Sequence, residues 1–420
     1  MRRDINIDFG IKETVLENGL TILTCPMEEK SSAFALFGTK FGSVDQHFML
    51  NGREIRVPSG TAHFLEHKLF ENEDSDAFEL FARTGASSNA YTSYDRTCFI
   101  FSATDGFYDS LRILLGFVRE PYFTKETIDK EQGIISEEIR MYDDSPGWQL
   151  MTGVLGLEYH NHPIKEDIAG TEQSIAEITP EMLYDCYNAF YTPENMVISI
   201  AGKFDEEKAI EICRECLSDM KNENSAKLKI AEDGSIARAF GTKDMSVAMK
   251  QFSYAYKEKA FPAEKQYMSE LYLEMLLYII AGSTSRLYGE LYDDGLVNSS
   301  FGFEILEGED FMTVIFSGDS RDPEETVKRI RNAIDRYRKN GIPENRIEEV
   351  KRLLLGDTVS VMDEPEAAAS EMAGAYFKNG SVYDKINAVC SVNKEELENM
   401  LAEHFDSAKA SLFVINPKES

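Results

Sequence analysis

Histidine is scarce in this chain: six residues in 420, at positions 47, 63, 67, 160, 162 and 404. Cysteine is equally sparse, with Cys25, Cys98, Cys186, Cys213, Cys216 and Cys390. Cysteines scattered through a large chain do not make a disulfide framework. Cys213 and Cys216 form one C-x-x-C inside a helical pattern, with no second pair or histidine beside it. Structural thiols are the better reading there than a metal or redox site. No apolar run is long enough to span a bilayer. Met1-Arg2-Arg3 is followed by polar residues rather than an apolar stretch, so no signal peptide is expected and a cytoplasmic location is the default. Basic residues are outnumbered, 44 Lys and Arg against 74 Asp and Glu, for a formal net charge of -30. Such a surface repels phosphate backbones and argues against nucleic acid as a partner. The charge keeps the chain soluble, and an acidic wall would attract basic peptides.

Hydrophobic residues make up 43% of the chain, enough for packed cores, and the length suits two or more domains. Glu13–Leu16 and Leu20–Leu23 flank Asn18-Gly19, a strong hairpin signal. Ser32 to Gly42 reads as a strand. A helix is expected to start near Ser59-Gly60-Thr61, with Ser or Thr as its cap. Asn89 to Thr104 reads as a strand region. Helices are expected over Tyr108–Arg119, Lys125–Met141 and Glu206–Met220, with a buried strand at Met196–Ile200. The polar segment 221–235 is the expected linker.

The second half replays the first. Phe101-Ser102-Ala103-Thr104 resembles Phe316-Ser317-Gly318-Asp319, and Val197–Ile200 resembles Leu412–Ile415, both about 215 residues apart. The pattern predicts an α+β chain of two homologous α/β sandwich domains, 1–225 and 236–420, made by internal duplication. The copies differ in their chemistry. Tyr278 to Gly282, where the histidine segment should recur, holds no histidine. Glu131 to Glu138 is replaced by Val350 to Asp357. Metal chemistry is therefore expected only in the first half.

His63-Phe64-Leu65-Glu66-His67 concentrates two of the six histidines at four-residue spacing. On a helix that spacing stacks both imidazoles on one face. A catalytic zinc needs such neutral donors and an open position for water. A nearby carboxylate outside the ligand set can take the water's proton, and Glu66 is so placed. A third ligand is still required. The next helix offers Glu126, Glu131, Glu137 and Glu138; Glu131 and Glu138, seven apart, share a face. A solvated acidic face is the plainer alternative for these glutamates.

These residues resemble the insulinase and pitrilysin family of inverted-zincin (inverzincin) metallopeptidases, most closely the short two-domain branch that includes the mitochondrial processing peptidases. His63 to His67 matches its H-x-x-E-H motif, and Glu131 with Glu138 its downstream glutamate pair. Gly85 to Thr92 resembles the strand beside bound substrate, and Tyr191-Thr192-Pro193-Glu194-Asn195-Met196 with Gly202 the end of the first domain. The resemblance implies a zinc metalloendopeptidase with one Zn2+ per chain held by His63, His67 and Glu138. Glu66 would be the general base and Glu131 would hold a histidine ligand in place. Asn89, Ala90 and Tyr91 would offer a strand edge to a peptide substrate. The family's arginine and tyrosine pair in a later domain is missing: Tyr292 and Asn298 stand in its place, and Arg286 has the wrong spacing. The gap implies a dimer whose homologous partner supplies the pair. The alternative is a non-catalytic peptide-binding or assembly subunit, although those members commonly lose zinc ligands; a zinc hydrolase acting on something other than peptides is a third reading. His160 and His162 before Pro163 resemble a family loop, either structural or a second metal site.

Overall fold

A computed structural model describes residues 7–73 and 76–418. The Met1-Arg2-Arg3 start lies outside the described residues. In the first half, β1 (Lys12–Val15), β2 (Thr21–Pro26) and β3 (Ala33–Thr39) precede the small hairpin of β4 (His47–Leu50) and β5 (Arg53–Arg56). Then come β6 (Ser87–Thr92), β7 (Thr97–Ala103), β8 (Met196–Gly202) and β9 (Ser225–Lys227). The second half holds β10 (Phe240–Met245), β11 (Gln251–Glu258), β12 (Gly302–Glu307), β13 (Met312–Asp319) and β14 (Ala410–Pro417).

Two main sheets result, ordered β1-β2-β8-β3-β7-β6 and β10-β14-β11-β13-β12. From β2 onward the first has the same order as the second. Each has one parallel pair at the same place, β2 with β8 and β10 with β14. The duplication is thus written in topology as well as in sequence. The expected hairpin forms: Val15 pairs Thr21, and Gly19 takes the positive φ of 93° that its turn requires. The run from Asn89 to Thr104 is two strands rather than one. Ser93 to Arg96 turns the chain, with the Ser93 N–H donating to the Arg96 carbonyl at 2.8 Å.

The compact units are not contiguous. One comprises Met1–Ser136, Ile168–Leu228 and Thr358–Phe377; the other comprises Glu137–Asp167, Lys229–Asp357 and Lys378–Ser420. Two helices account for this. The helix Pro365–Phe377 packs on β8, β3 and β2, within the first unit. The helix Pro146–Glu158 packs on β14, β11 and β10, within the second. Both have 13 residues and begin with proline, so each copy lends its equivalent helix to the other's sheet. Strands β3 and β8 are buried along their whole length, which requires cover on both faces. At Gly38 of β3 an added Cβ would lie 2.7 Å from the Phe377 ring, so this residue lets the lent helix approach.

The expected linker is pinned in place. Its β9 pairs with β4. Further on, Glu232 accepts from three successive backbone N–H groups, of His160, Asn161 and His162, at 2.7–2.8 Å. The buried Lys257 ammonium donates to Glu232 at 2.7 Å and to the carbonyls of Asp233 and Ser235. A polar segment without apolar period reads as a linker, but these polar groups are its anchors. Among the described residues no helix is long and apolar enough to cross a membrane.

Candidate metal centre

The helix Thr61–Leu69 carries the H-x-x-E-H segment. Nine residues are marginal as an isolated helix, so packing has to hold it. Phe64 and Leu65 are fully buried, worth about 1.5–3 kcal/mol each. Its cap is Gly60, with φ of 88° and no side-chain cap bond, not the serine or threonine expected. Thr61 instead donates its hydroxyl to the Pro58 carbonyl at 2.7 Å. Gly60 is required because an added Cβ would come within 2.5 Å of the Ala169 carbonyl oxygen.

The imidazoles of His63 and His67 share a face, with ring centroids 4.6 Å apart. The second component is the unbroken helix Lys125–Asp143, which carries Glu131 and Glu138 two turns apart. A donor atom from each of His63, His67 and Glu138 lies within 4.8 Å of the others. Two imidazole nitrogens and one carboxylate are a donor set that suits zinc, whose fourth position in catalytic sites is taken by water. Glu131 accepts from His67 Nδ1 at 3.0 Å, which leaves Nε2 as the nitrogen that ring would offer to a metal. The other Glu131 oxygen lies 4.0 Å from the fully buried Lys68 ammonium, which also pairs with Glu71. Glu137 points elsewhere: it is exposed and pairs with Arg140.

Glu66 is 7% exposed. Its Oε2 lies 3.6 Å from His63 Nδ1 and accepts the Thr92 hydroxyl at 2.7 Å. A hydrogen bond to a charged group is worth about 1.5–3 kcal/mol, so this contact holds the carboxylate firmly. Tyr191 is close enough to feel it. Burial first, and then the charge of Glu66, push the Tyr191 hydroxyl well above its ordinary value. Thr92 closes β6, the last strand of its sheet, and Asn89 and Tyr91 are exposed along it while Ala90 is half-buried. The Ala90 N–H donates to the Asn89 side-chain oxygen at 2.9 Å.

Two contributors escaped the sequence reading. Thr92 reaches Glu66 across 26 residues, a contact set by strand register that no spacing rule signals. Tyr142 donates its hydroxyl to Glu138 Oε1 at 2.6 Å and stacks on Trp148 with centroids 4.4 Å apart. The four-residue spacing of Glu138 and Tyr142 on one helix was a usable signal for that pair.

The remaining candidates fall outside the centre. His162 is buried, 3.0 Å from Asp310 through Nε2, while Nδ1 accepts from the Ile164 N–H. It anchors a loop, and His160 lies 3.4 Å from the Ser235 hydroxyl. Cys213 and Cys216 are free thiols on the helix Glu206–Leu217. Among the described residues, His63, His67 and Glu138 are the one grouping suited to a metal. Tyr292 is exposed on the helix Arg286–Asp293, and Asn298 donates to Asp319 at 2.8 Å.

The profile of the insulinase family, peptidase family M16, matches residues 54–172, and that of the peptidase M16 inactive domain matches residues 177–354. The chain is 33% identical over 410 residues to YmfH of Bacillus subtilis, named as an uncharacterized zinc protease, covering 96% of each chain. It is 28% identical over 204 residues to a chain of Schizosaccharomyces pombe named "Probable mitochondrial-processing peptidase subunit beta", covering 47% of this chain and 43% of that one. A crystal structure from Alicyclobacillus acidocaldarius, described as a "putative M16-like peptidase", superposes with a TM-score of 0.94 at 30% identity, covering 99% of this chain and 100% of that one. With two M16 domains, a duplicated α+β fold and a His-His-Glu grouping in the first copy, the chain belongs to the insulinase family of peptidases, M16.

Proposed function

We propose that this chain is a zinc-dependent endopeptidase that hydrolyses peptides or small unfolded proteins in a closed chamber. One zinc ion per chain would be held by His63, His67 and Glu138, with Glu131 fixing the His67 ring. The observation that carries this reading is the convergence of those three donors beside a buried carboxylate that is not one of them.

A bound zinc ion supplies Lewis acidity, which lowers the pKa of water to about 7 and polarises the scissile carbonyl. Glu66 removes a proton from the attacking water and returns it to the leaving amine. The edge of β6 at Asn89, Ala90 and Tyr91 accepts the peptide as an added strand by main-chain hydrogen bonds. A homologous partner subunit supplies the arginine and tyrosine that Tyr292 and Asn298 replace. The place of action is the cytoplasm.

The test is peptide cleavage by zinc-loaded protein purified with its native partner, wild type against Glu66→Gln. Loss of the base should slow cleavage by roughly 10²- to 10⁴-fold with zinc retained. Equal rates would remove Glu66 from the mechanism. A folded protein that binds no zinc would instead favour a binding or assembly subunit.

A further inference from the structure

The hydroxyl of Thr92 has one strong acceptor. Its cross-strand partner Thr97 lies 3.4 Å away, oxygen to oxygen, a weak contact. Thr97 spends its own proton on the Phe41 carbonyl at 2.8 Å. The Thr92 proton therefore goes to Glu66 Oε2 at 2.7 Å. The same oxygen is the one nearest His63 Nδ1, at 3.6 Å. Neither contact involves Oε1. Threonine is stiff at χ1, and the β6–β7 register fixes its backbone opposite Thr97, so the sheet sets where this hydroxyl points.

Resting on the peptidase reading, we propose that Thr92 is a positioning residue for the base. It fixes Glu66 Oε2, leaves Oε1 to carry the proton from water to the leaving amine, and ties the base to the strand that receives the peptide. Thr92 itself exchanges no proton. The base stands on a helix and its anchor on the substrate strand, so a peptide aligned on β6 is aligned with the base as well.

The test compares wild type, Thr92→Val and Thr92→Ser in the zinc-loaded full chain with its partner. Valine keeps the branched shape and removes the donor; serine keeps the donor. Valine should lower kcat by roughly 10- to 100-fold, the cost of a misplaced group, with KM, zinc content and melting temperature little changed. Serine should recover most of that loss. In a Glu66→Gln background, Thr92→Val should leave peptide affinity unaltered. An unchanged kcat in the valine variant overturns the proposal, as does a serine variant as slow as valine. Loss of peptide affinity in the Glu66→Gln background would assign Thr92 to the substrate instead. If wild type cleaves no peptide, the peptidase reading falls first. Crystal structures then decide the positioning claim: a Glu66 carboxylate displaced in Thr92→Val supports it, and an unmoved one overturns it.

Discussion

Glu66 and Glu131 show how buried carboxylates are kept useful. Each is nearly inaccessible, and each has a named partner within hydrogen-bond distance: Thr92 for the first, His67 for the second. Glu158 is a contrasting case. It is fully buried, Thr313 donates to one oxygen at 2.9 Å, and the other oxygen has no partner. Burial is the main cause that pushes its carboxyl up to about 8 from an ordinary value of 4.5. The folded state therefore keeps a proton that the unfolded chain releases above about 4.5. The stability owed to this group is full below that pH and is lost as pH rises through 8. Glu158→Gln should accordingly flatten the fall in melting temperature between pH 5 and 8, roughly that window. Parallel melting curves for variant and wild type would contradict the assignment.

At the scale of elements, legibility followed local geometry. The Asn18-Gly19 hairpin, the histidine helix and the glutamate helix were readable because turn chemistry and helical spacing act within a few residues. Partner choice was not. A helix's apolar face says that it covers something, not which sheet, so the exchange of Pro146–Glu158 and Pro365–Phe377 was invisible. For the same reason Glu131 and Glu138 could be named as sharing a face, but composition alone could not choose between a metal site and a solvated surface. Thr92 was missed because its value arises from strand register. The lent helix has its own test in Gly38→Ala. The new methyl would lie 2.7 Å from the Phe377 ring and 2.9 Å from Cys98 Sγ. Overpacking of this kind should cost about 1–3 kcal/mol, read as a lower denaturation midpoint. An unchanged midpoint would place that helix elsewhere.

At the scale of the whole molecule, duplication has separated stability from chemistry. Both copies keep the strand order and lend a helix, yet among the described residues the His-His-Glu grouping suited to a metal lies outside the second copy. In the second copy the stretch aligned with Glu131 to Glu138 is Val350 to Asp357, with Val350 at the core. The formal net charge of -30 disfavours binding to phosphate backbones. All of this turns on one claim, that His63, His67 and Glu138 hold zinc in an open site. Zinc K-edge X-ray absorption on the purified full chain tests it most directly. One zinc per chain is expected, with two imidazole nitrogens and oxygen donors at about 2.0–2.2 Å and no sulfur. A zinc–sulfur distance near 2.3 Å, the signature of cysteine ligands, or fewer than two imidazoles would contradict it.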